Sequence, residues 1–364
     1  MKVCIVSAMF FDRRKIKVSF RPEVVLVGGL RERGHDVVTY HHWERFDPRR
    51  YDVLHVHALG MGALRAVFAA AHTPFIYTAH DCRAMHGLLG MRHSLGLRAV
   101  LAQVDAVVAL SKPEAKFLTR TYGLDPCQVK IIPNGIDQNC FYYRRANGGG
   151  REVPFRILYA GQLQALKAVD VLLRALAKLQ KPWILDLVFH VGDTRCALER
   201  LVDELRIRDR VVFVGQITSN ALATRYQEVD ILVIPSLTEA LPSVVSEAML
   251  CGTPVLATDV GGVRDQLSGY GVLVPPNNVD SLAAGLAHIM ERYQQFSAQG
   301  EAMSAHAREA FSIERMISAH EALYSEICIR RRRKGLLSQW PICAIGMAAT
   351  QMAVAIRKRR CSAS

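Results

Sequence analysis

Short, uninterrupted apolar runs alternate along this chain with longer stretches whose apolar residues recur every three or four positions. The first pattern suits strands buried on both faces, and the second suits helices lying over them. In the first half, Val3 to Ala8, Asp36 to Tyr40, Val53 to His57, Phe75 to Thr78 and Val107 to Leu110 read as strands, with helical stretches such as Pro22 to Arg33 between them. RRANGGGREVP (Arg144 to Pro154) is polar and glycine-rich, which marks a linker. The alternation then resumes with FRILYAG, Ile184 to Val191, Val211 to Val214, Ile231 to Pro235, Pro254 to Ala257 and Gly271 to Val274. No repeat of solenoid length interrupts it. The pattern predicts an α/β chain with two Rossmann-like, doubly wound domains and a cleft between them.

The segment SLTEALPSVVSEAMLCGTPVLATDVGGVRDQL (Ser236 to Leu267) carries the most specific chemistry. Two carboxylates, Glu239 and Glu247, bracket seven uncharged residues, and Gly252, Pro254, Gly261 and Gly262 follow. ILVIP (Ile231 to Pro235) reads as a buried parallel strand and Ser243 to Leu250 as a helix, so Glu239 falls on the loop at a strand's carboxyl end, where open α/β sheets bind ligands. The amides around Ser243 and Val244 open the helix and form a ready phosphate site. A carboxylate at the reacting end, a helix terminus for phosphates and a second carboxylate beyond suit a sugar nucleotide.

With these motifs the sequence resembles the retaining family-4 glycosyltransferases, which share the two-domain GT-B fold. GQLQALKAVDVLLRAL (Gly161 to Leu176) looks like the family's glycine-to-lysine phosphate segment, and IPNGID (Ile132 to Asp137), VGD (Val191 to Asp193) and VVFVGQ (Val211 to Gln216) fall in the expected order. FSIERMISAHEALYSEI (Phe311 to Ile327) looks like the closing helix that returns to the first domain. The match covers roughly residues 1 to 329. It implies an acceptor-side domain over 1–143, a linker over 144–154, a nucleotide-sugar domain over 155–310, a closing helix over 311–329 and a tail over 330–364.

The resemblance also assigns roles. Lys167 would meet the donor diphosphate and the negative charge that grows on the leaving group. Glu239 would face the donor sugar, and Glu247 would accept hydrogen bonds from the ribose diol. Gly161, Gln162, Gln216 and the amides of Leu241, Ser243 and Val244 would complete the donor site, whereas Pro242 has no amide to give. His80, in TAHD (Thr78 to Asp81), resembles the first-domain histidine near the donor sugar, with Asp81 a weaker companion. HVHALGMG (His55 to Gly62) holds a G-x-G but no complete dinucleotide fingerprint and reads as a cleft-facing loop.

Two positions depart from the family pattern. Gln162 stands where an arginine is usual and supplies no charge, so another cation compensates, turnover is slow, or catalysis is lost. Ala168 stands where glycine is common, a change that an ordinary helix start would tolerate. The implied reaction moves a sugar from a UDP- or GDP-linked donor to a glycan or lipid-linked acceptor, with retention and without a metal or a separate cofactor. The alternatives are a sugar-nucleotide epimerase on the same fold and a non-catalytic nucleotide-sugar-binding subunit.

Composition narrows the setting. The chain of 364 residues is long enough for two domains, and with half of its residues hydrophobic it is globular rather than disordered. Nine cysteines are scattered without a C-x-x-C pair, which argues against a zinc site or disulfide framework and for a reduced, cytoplasmic setting. MKVCIVSAMFF reads as a first strand rather than a signal peptide. Nine of the thirteen net positive charges lie in residues 330–364, leaving +4 for the rest. The basic runs lack interleaved aromatics, which turns the reading from nucleic acid to an anionic membrane surface. There RRRRK and RKRR flank 22 uncharged residues, Gly335 to Ile356, and positive charge on both sides favours an in-plane anchor over a span. The chain is therefore expected at the cytoplasmic face of a membrane. RRKIKVSFR (Arg13 to Arg21), together with Arg83, Arg92 and Arg98, suggests an anionic or lipid-linked acceptor.

Overall fold

The structure is a computed structural model that describes residues 1–7, 21–41, 47–57, 73–79, 91–144 and 154–332. Residues 1–320 form one compact unit and 321–364 a second. In the second, residues 321–332 are helical, and the remainder of the basic, apolar tail lies outside the described residues.

The first unit holds two six-stranded sheets. Strands β1 (Lys2–Ser7), β2 (Asp36–Tyr40), β3 (Val53–His57), β4 (Phe75–Thr78), β5 (Ala106–Ala109) and β6 (Val129–Ile131) form the first, in the order β2-β1-β3-β4-β5-β6. Strands β7 (Phe155–Ala160), β8 (Trp183–Val188), β9 (Val211–Gly215), β10 (Ile231–Ile234), β11 (Val255–Thr258) and β12 (Val272–Val274) form the second, in the order β12-β11-β10-β7-β8-β9. Every pairing is parallel. All residues of β3, β4, β5, β10 and β11 are buried, the consequence of helices covering both faces.

The helices follow from their apolar stripes and caps. Helix α1 (Pro22–Glu32) begins with proline in its first turn and buries Leu26, Val27 and Leu30. Helix α2 (Met91–Leu101) is followed by α3 (Lys112–Tyr122), where the Ser111 hydroxyl accepts from the Glu114 amide, the Glu114 carboxylate accepts from the Leu110 amide at 2.7 Å, and Gly123 closes the end at φ 68°. Helix α4 (Val169–Ala177) buries Val169, Leu172, Leu173 and Leu176 on one stripe. Helices α5 (Arg195–Glu204), α6 (Ser219–Glu228), α7 (Ser243–Cys251), α8 (Val263–Leu267), α9 (Val279–Glu291), α10 (Tyr293–Ala298) and α11 (Gly300–Ala310) complete the second half. The first unit ends in helical residues 313–320, after a parallel bridge between Ile136 and Ser312. Gly135 makes that approach possible, because a Cβ there would lie 2.6 Å from Ile313 Cα.

In the second sheet the chain runs β7-β8-β9 to one side and β10-β11-β12 to the other. The order therefore reverses between β7 and β10, and the loops leaving the carboxyl ends of those two strands diverge and leave a crevice. These are the loops that begin at Gly161 and at Pro235. Their placement is a property of topology, before any side chain is considered.

Candidate active site

The loop after β7 is short and fixed by backbone bonds to its neighbour. The Gly161 amide donates to Val188 O at 3.0 Å and the Leu163 amide to Val191 O at 2.8 Å, which holds the segment along the end of β8. A side chain at Gly161 would collide with the Tyr159 ring, since a Cβ would lie 2.8 Å from the phenol oxygen. That phenol donates to Gln162 O at 2.6 Å and tightens the turn. A 3-10 turn at Ala165–Lys167 follows, and Ala168 then adopts a left-handed conformation, φ 47° and ψ 42°, before α4 begins. This corrects the expectation of an ordinary helix start. The chain must reverse between the two helices, and an alanine there is strained where glycine would be at ease.

The turn aims Lys167 across the crevice. Its Nζ donates to Glu239 Oε1 at 2.6 Å, and the Ser236 hydroxyl donates to the same oxygen at 2.7 Å. The backbone repeats the link, with the Leu237 amide donating to Leu166 O at 2.8 Å. Glu239 is only 7% exposed, so its charge is met by a cation and a hydroxyl rather than by bulk water. Burial first, and the nearby Glu239 charge second, push the Tyr159 phenol far above its usual value, so it stays a donor.

Behind Glu239 the chain is packed tightly. Gly261, at φ 52°, lies so close that a Cβ would fall 1.6 Å from Glu239 O, and a Cβ at Gly262 would reach 2.5 Å from both Ala240 O and Ser111 Cβ. The glycine pair is thus the seat of the carboxylate loop. Pro242 precedes α7 without a side-chain cap, so the first amides of that helix, at Ser243 and Val244, have no intrahelical acceptor. Ser243 and Val244 are half-buried and Leu241 is buried.

One turn further on, Glu247 faces inward. It accepts from the Tyr226 hydroxyl of α6 at 3.0 Å. Burial pushes its carboxyl up to about 7, against the smaller opposing effect of that hydrogen bond. The phenol is held in place by a 6.0 Å edge contact with Phe141.

Two family models match this chain, one described as glycosyl transferases group 1 over residues 145–309 and one as glycosyltransferase family 4 over residues 21–139. A D-inositol 3-phosphate glycosyltransferase of Mycobacterium marinum is 31% identical over an alignment of 319 residues that covers 79% of this chain and 67% of that protein. The chain belongs to the group 1, family-4 glycosyltransferases. Among solved structures, the glycosyltransferase is similar to a sucrose-phosphate synthase from Thermosynechococcus elongatus, with a TM-score of 0.78 and 21% identity, covering 90% of this chain and 98% of that one. It is also similar to Anabaena HepE in complex with UDP and glucose, with a TM-score of 0.72 and 18% identity, covering 90% and 100%. The two-sheet architecture is the GT-B fold.

Of the residues singled out in the sequence, the glycosyltransferase brings Lys167 and Glu239 into direct contact and sets Gly161 and Gln162 on the same loop. Glu247 is separated from them in environment, sunk against Tyr226, and Gln216 is exposed just past β9. His80 and Asp81 lie outside the described residues, as do Arg13 and Arg83. Arg98 stacks its guanidinium over Tyr122 at 5.2 Å, which gives it a packing partner within the first sheet's own helices. Sequence reasoning missed Ser236, Tyr159 and Tyr226, whose roles depend on partners distant in the chain. It also missed a buried histidine group: His55 and His57 lie 4.1 Å apart by ring centroid, and His320 lies 5.5 Å from His55. The i, i+2 spacing of the first two on a strand was a visible signal, because it places them on one face. Among the described residues no group of three or more His, Cys, Asp or Glu side chains is arranged to hold a metal ion.

Proposed function

We propose that this glycosyltransferase takes a nucleoside-diphosphate sugar, UDP- or GDP-linked, and transfers the sugar with retention to a glycan or lipid-linked acceptor, without a metal. The observation that carries the reading is the Lys167–Glu239 pair at the switch point, 2.6 Å apart and beside the uncapped start of α7. A diphosphate laid over that helix start competes with Glu239 for the Lys167 ammonium, so the cation is delivered to the leaving group as its charge grows. Glu239, released, accepts from sugar hydroxyls, and Glu247 accepts from the ribose diol. The bond from the anomeric carbon to the phosphate oxygen breaks and a bond to the acceptor oxygen forms on the same face. The acceptor proton passes to the departing diphosphate.

HepE was solved with UDP and glucose, which supports testing UDP-linked donors first. The name of the mycobacterial relative supports a phosphorylated or otherwise anionic acceptor. A thermal-shift screen of UDP- and GDP-sugars, followed by transfer assays and anomeric NMR of the product, tests the function. A donor that stabilises the protein and is consumed only with an acceptor, giving an α-linked product from an α-linked donor in the presence of EDTA, supports it. Formation of an epimeric donor without acceptor would replace it with the epimerase reading. We further place the chain on anionic membrane through residues 330–364, since nine Lys or Arg lie there with no acid. Co-sedimentation with anionic vesicles that survives deletion of those residues would refute that placement.

A further inference from the structure

The loop that leaves β7 is tied to the loop that leaves β8 on both sides of one side-chain pair. The Gly161 amide donates to Val188 O and the Leu163 amide to Val191 O, which confines Gln162 on one chain opposite Phe189 and His190 on the other. Thr194 repeats the tie, its amide and its hydroxyl donating to Leu163 O at 3.0 and 2.9 Å. The Tyr159 phenol holds the Gln162 carbonyl from the other side. Phe189 is buried, its ring edge-on to Phe213 at 6.4 Å, and His190 beside it is exposed. There Gln162 Nε2 lies 3.4 Å from His190 Nε2. The backbone on either side thus builds this contact.

An amide nitrogen only donates, so in this arrangement the imidazole nitrogen accepts and one of the two Gln162 N–H groups is engaged by it. A neutral imidazole has a second tautomer, with its hydrogen on Nε2. It would then donate to Gln162 Oε1, and both amide N–H groups would be available to an anion. Partial burial, and then the positive charge of Arg21, hold His190 below the ordinary value of 6.5, so it is neutral at pH 7 and can adopt either tautomer. We propose that His190 is the positioning residue of Gln162: it holds the amide beside the crevice and, when a diphosphate binds, carries its hydrogen on Nε2, so that both Gln162 N–H groups face the phosphates. This rests on the donor-site reading given above. The pair meets the diphosphate with oriented dipoles, and Lys167 remains the cation. Orientation matters more for an amide than for a guanidinium. An amide turned the wrong way offers an acceptor to the anion, whereas a guanidinium has no acceptor to offer. A glutamine at position 162 therefore needs a partner that an arginine there would not.

Calorimetry and nitrogen NMR on the full chain test this, with UDP against uridine and GDP against guanosine as probes. The diphosphate increment, the ratio of nucleoside diphosphate to nucleoside affinity, reads the phosphate contacts. His190→Leu is expected to lower it about three- to tenfold, the cost of ordering a loose glutamine on binding. His190→Gln, which keeps a donor, is expected to retain most of it. In a double-mutant cycle with Gln162→Leu the two losses are expected not to add, because His190 acts through Gln162. In protein labelled at histidine nitrogen and held at pH 8, the His190 Nε2 resonance is identified by its absence in His190→Gln. It is expected to move from the acceptor to the N–H position when the diphosphate is added, and to stay when the nucleoside is added. An unchanged increment in His190→Leu, additive losses, or an Nε2 resonance unmoved by a diphosphate that binds would each overturn the proposal and leave the donor site standing. A native protein that binds neither diphosphate better than its nucleoside overturns the donor-site reading and the proposal with it.

Discussion

Glu239 and Glu247 stand eight positions apart on one loop-helix unit and are equally buried, each 7% exposed, yet they live in opposite surroundings. Glu239 is met by the Lys167 ammonium and the Ser236 hydroxyl. Glu247 is met by a single phenol and otherwise by the apolar interior, and its carboxyl is pushed up to about 7. The difference lies in the backbone around them. A loop at a switch point can be approached by another loop's side chain, whereas a residue on the inner face of a helix meets only its packing partners. One carboxylate is therefore paired with a cation and a hydroxyl. The other carries the cost of desolvation.

The largest effect is expected at Lys167. Lys167→Ala leaves a buried carboxylate without its cation and is expected to cost about 2–3 kcal/mol in denaturant unfolding, somewhat below the figure for a fully buried pair because Lys167 is partly exposed. Transfer is expected to fall about 10²–10³-fold with the loss of leaving-group stabilisation. Adding Glu239→Gln is expected to restore much of the stability and none of the transfer, and additive unfolding costs would show that the pair is not coupled.

Glu247→Gln sharpens the contrast through pH. A carboxyl raised from 4.5 to about 7 on folding contributes stability that is fully present below pH 4.5 and is lost as pH rises through 7. The glutamine variant does not lose it, so it should match the native protein near pH 4.5 and exceed it at pH 8, by about 3 kcal/mol at most. Parallel unfolding curves for the two proteins across that range would contradict the assigned environment. Nucleotide affinity in the native protein should rise with pH through 7, a trend the variant lacks.

The smallest effect is expected at Ala168. Ala168→Gly relieves a left-handed alanine, worth about 1 kcal/mol, but removes a buried methyl group worth nearly as much, so a gain of only a few tenths of a kcal/mol is expected. A melting temperature that falls would show that packing outweighs backbone strain at this turn.

Most of the architecture was legible because strands covered on both faces must be apolar throughout. VLHVH, FIYT and ILVI announce themselves for that reason. β6 was not seen: it is three residues long, lies at a sheet edge and leaves Ile131 exposed. At the site, Lys167 and Glu239 could be nominated singly, from position relative to strand ends. Their contact spans 72 positions and is written in the strand order, not in either motif. Tyr226 carried no local mark of its role, since a tyrosine on a helix looks the same whether its hydroxyl meets water or a buried acid. Ala168 was misread because backbone handedness is set by the reversal between two helices, and alanine gives no sign of it.

Gly262 and Ser111 meet where the loop behind Glu239 faces the first sheet, with room for no additional carbon between them. They act as a spacer whose thickness is that of one absent methyl group. A larger side chain at either position would be a shim, lifting the carboxylate loop away from the first sheet. The contact of these two residues thus fixes how closely the carboxylate loop approaches the first sheet's half.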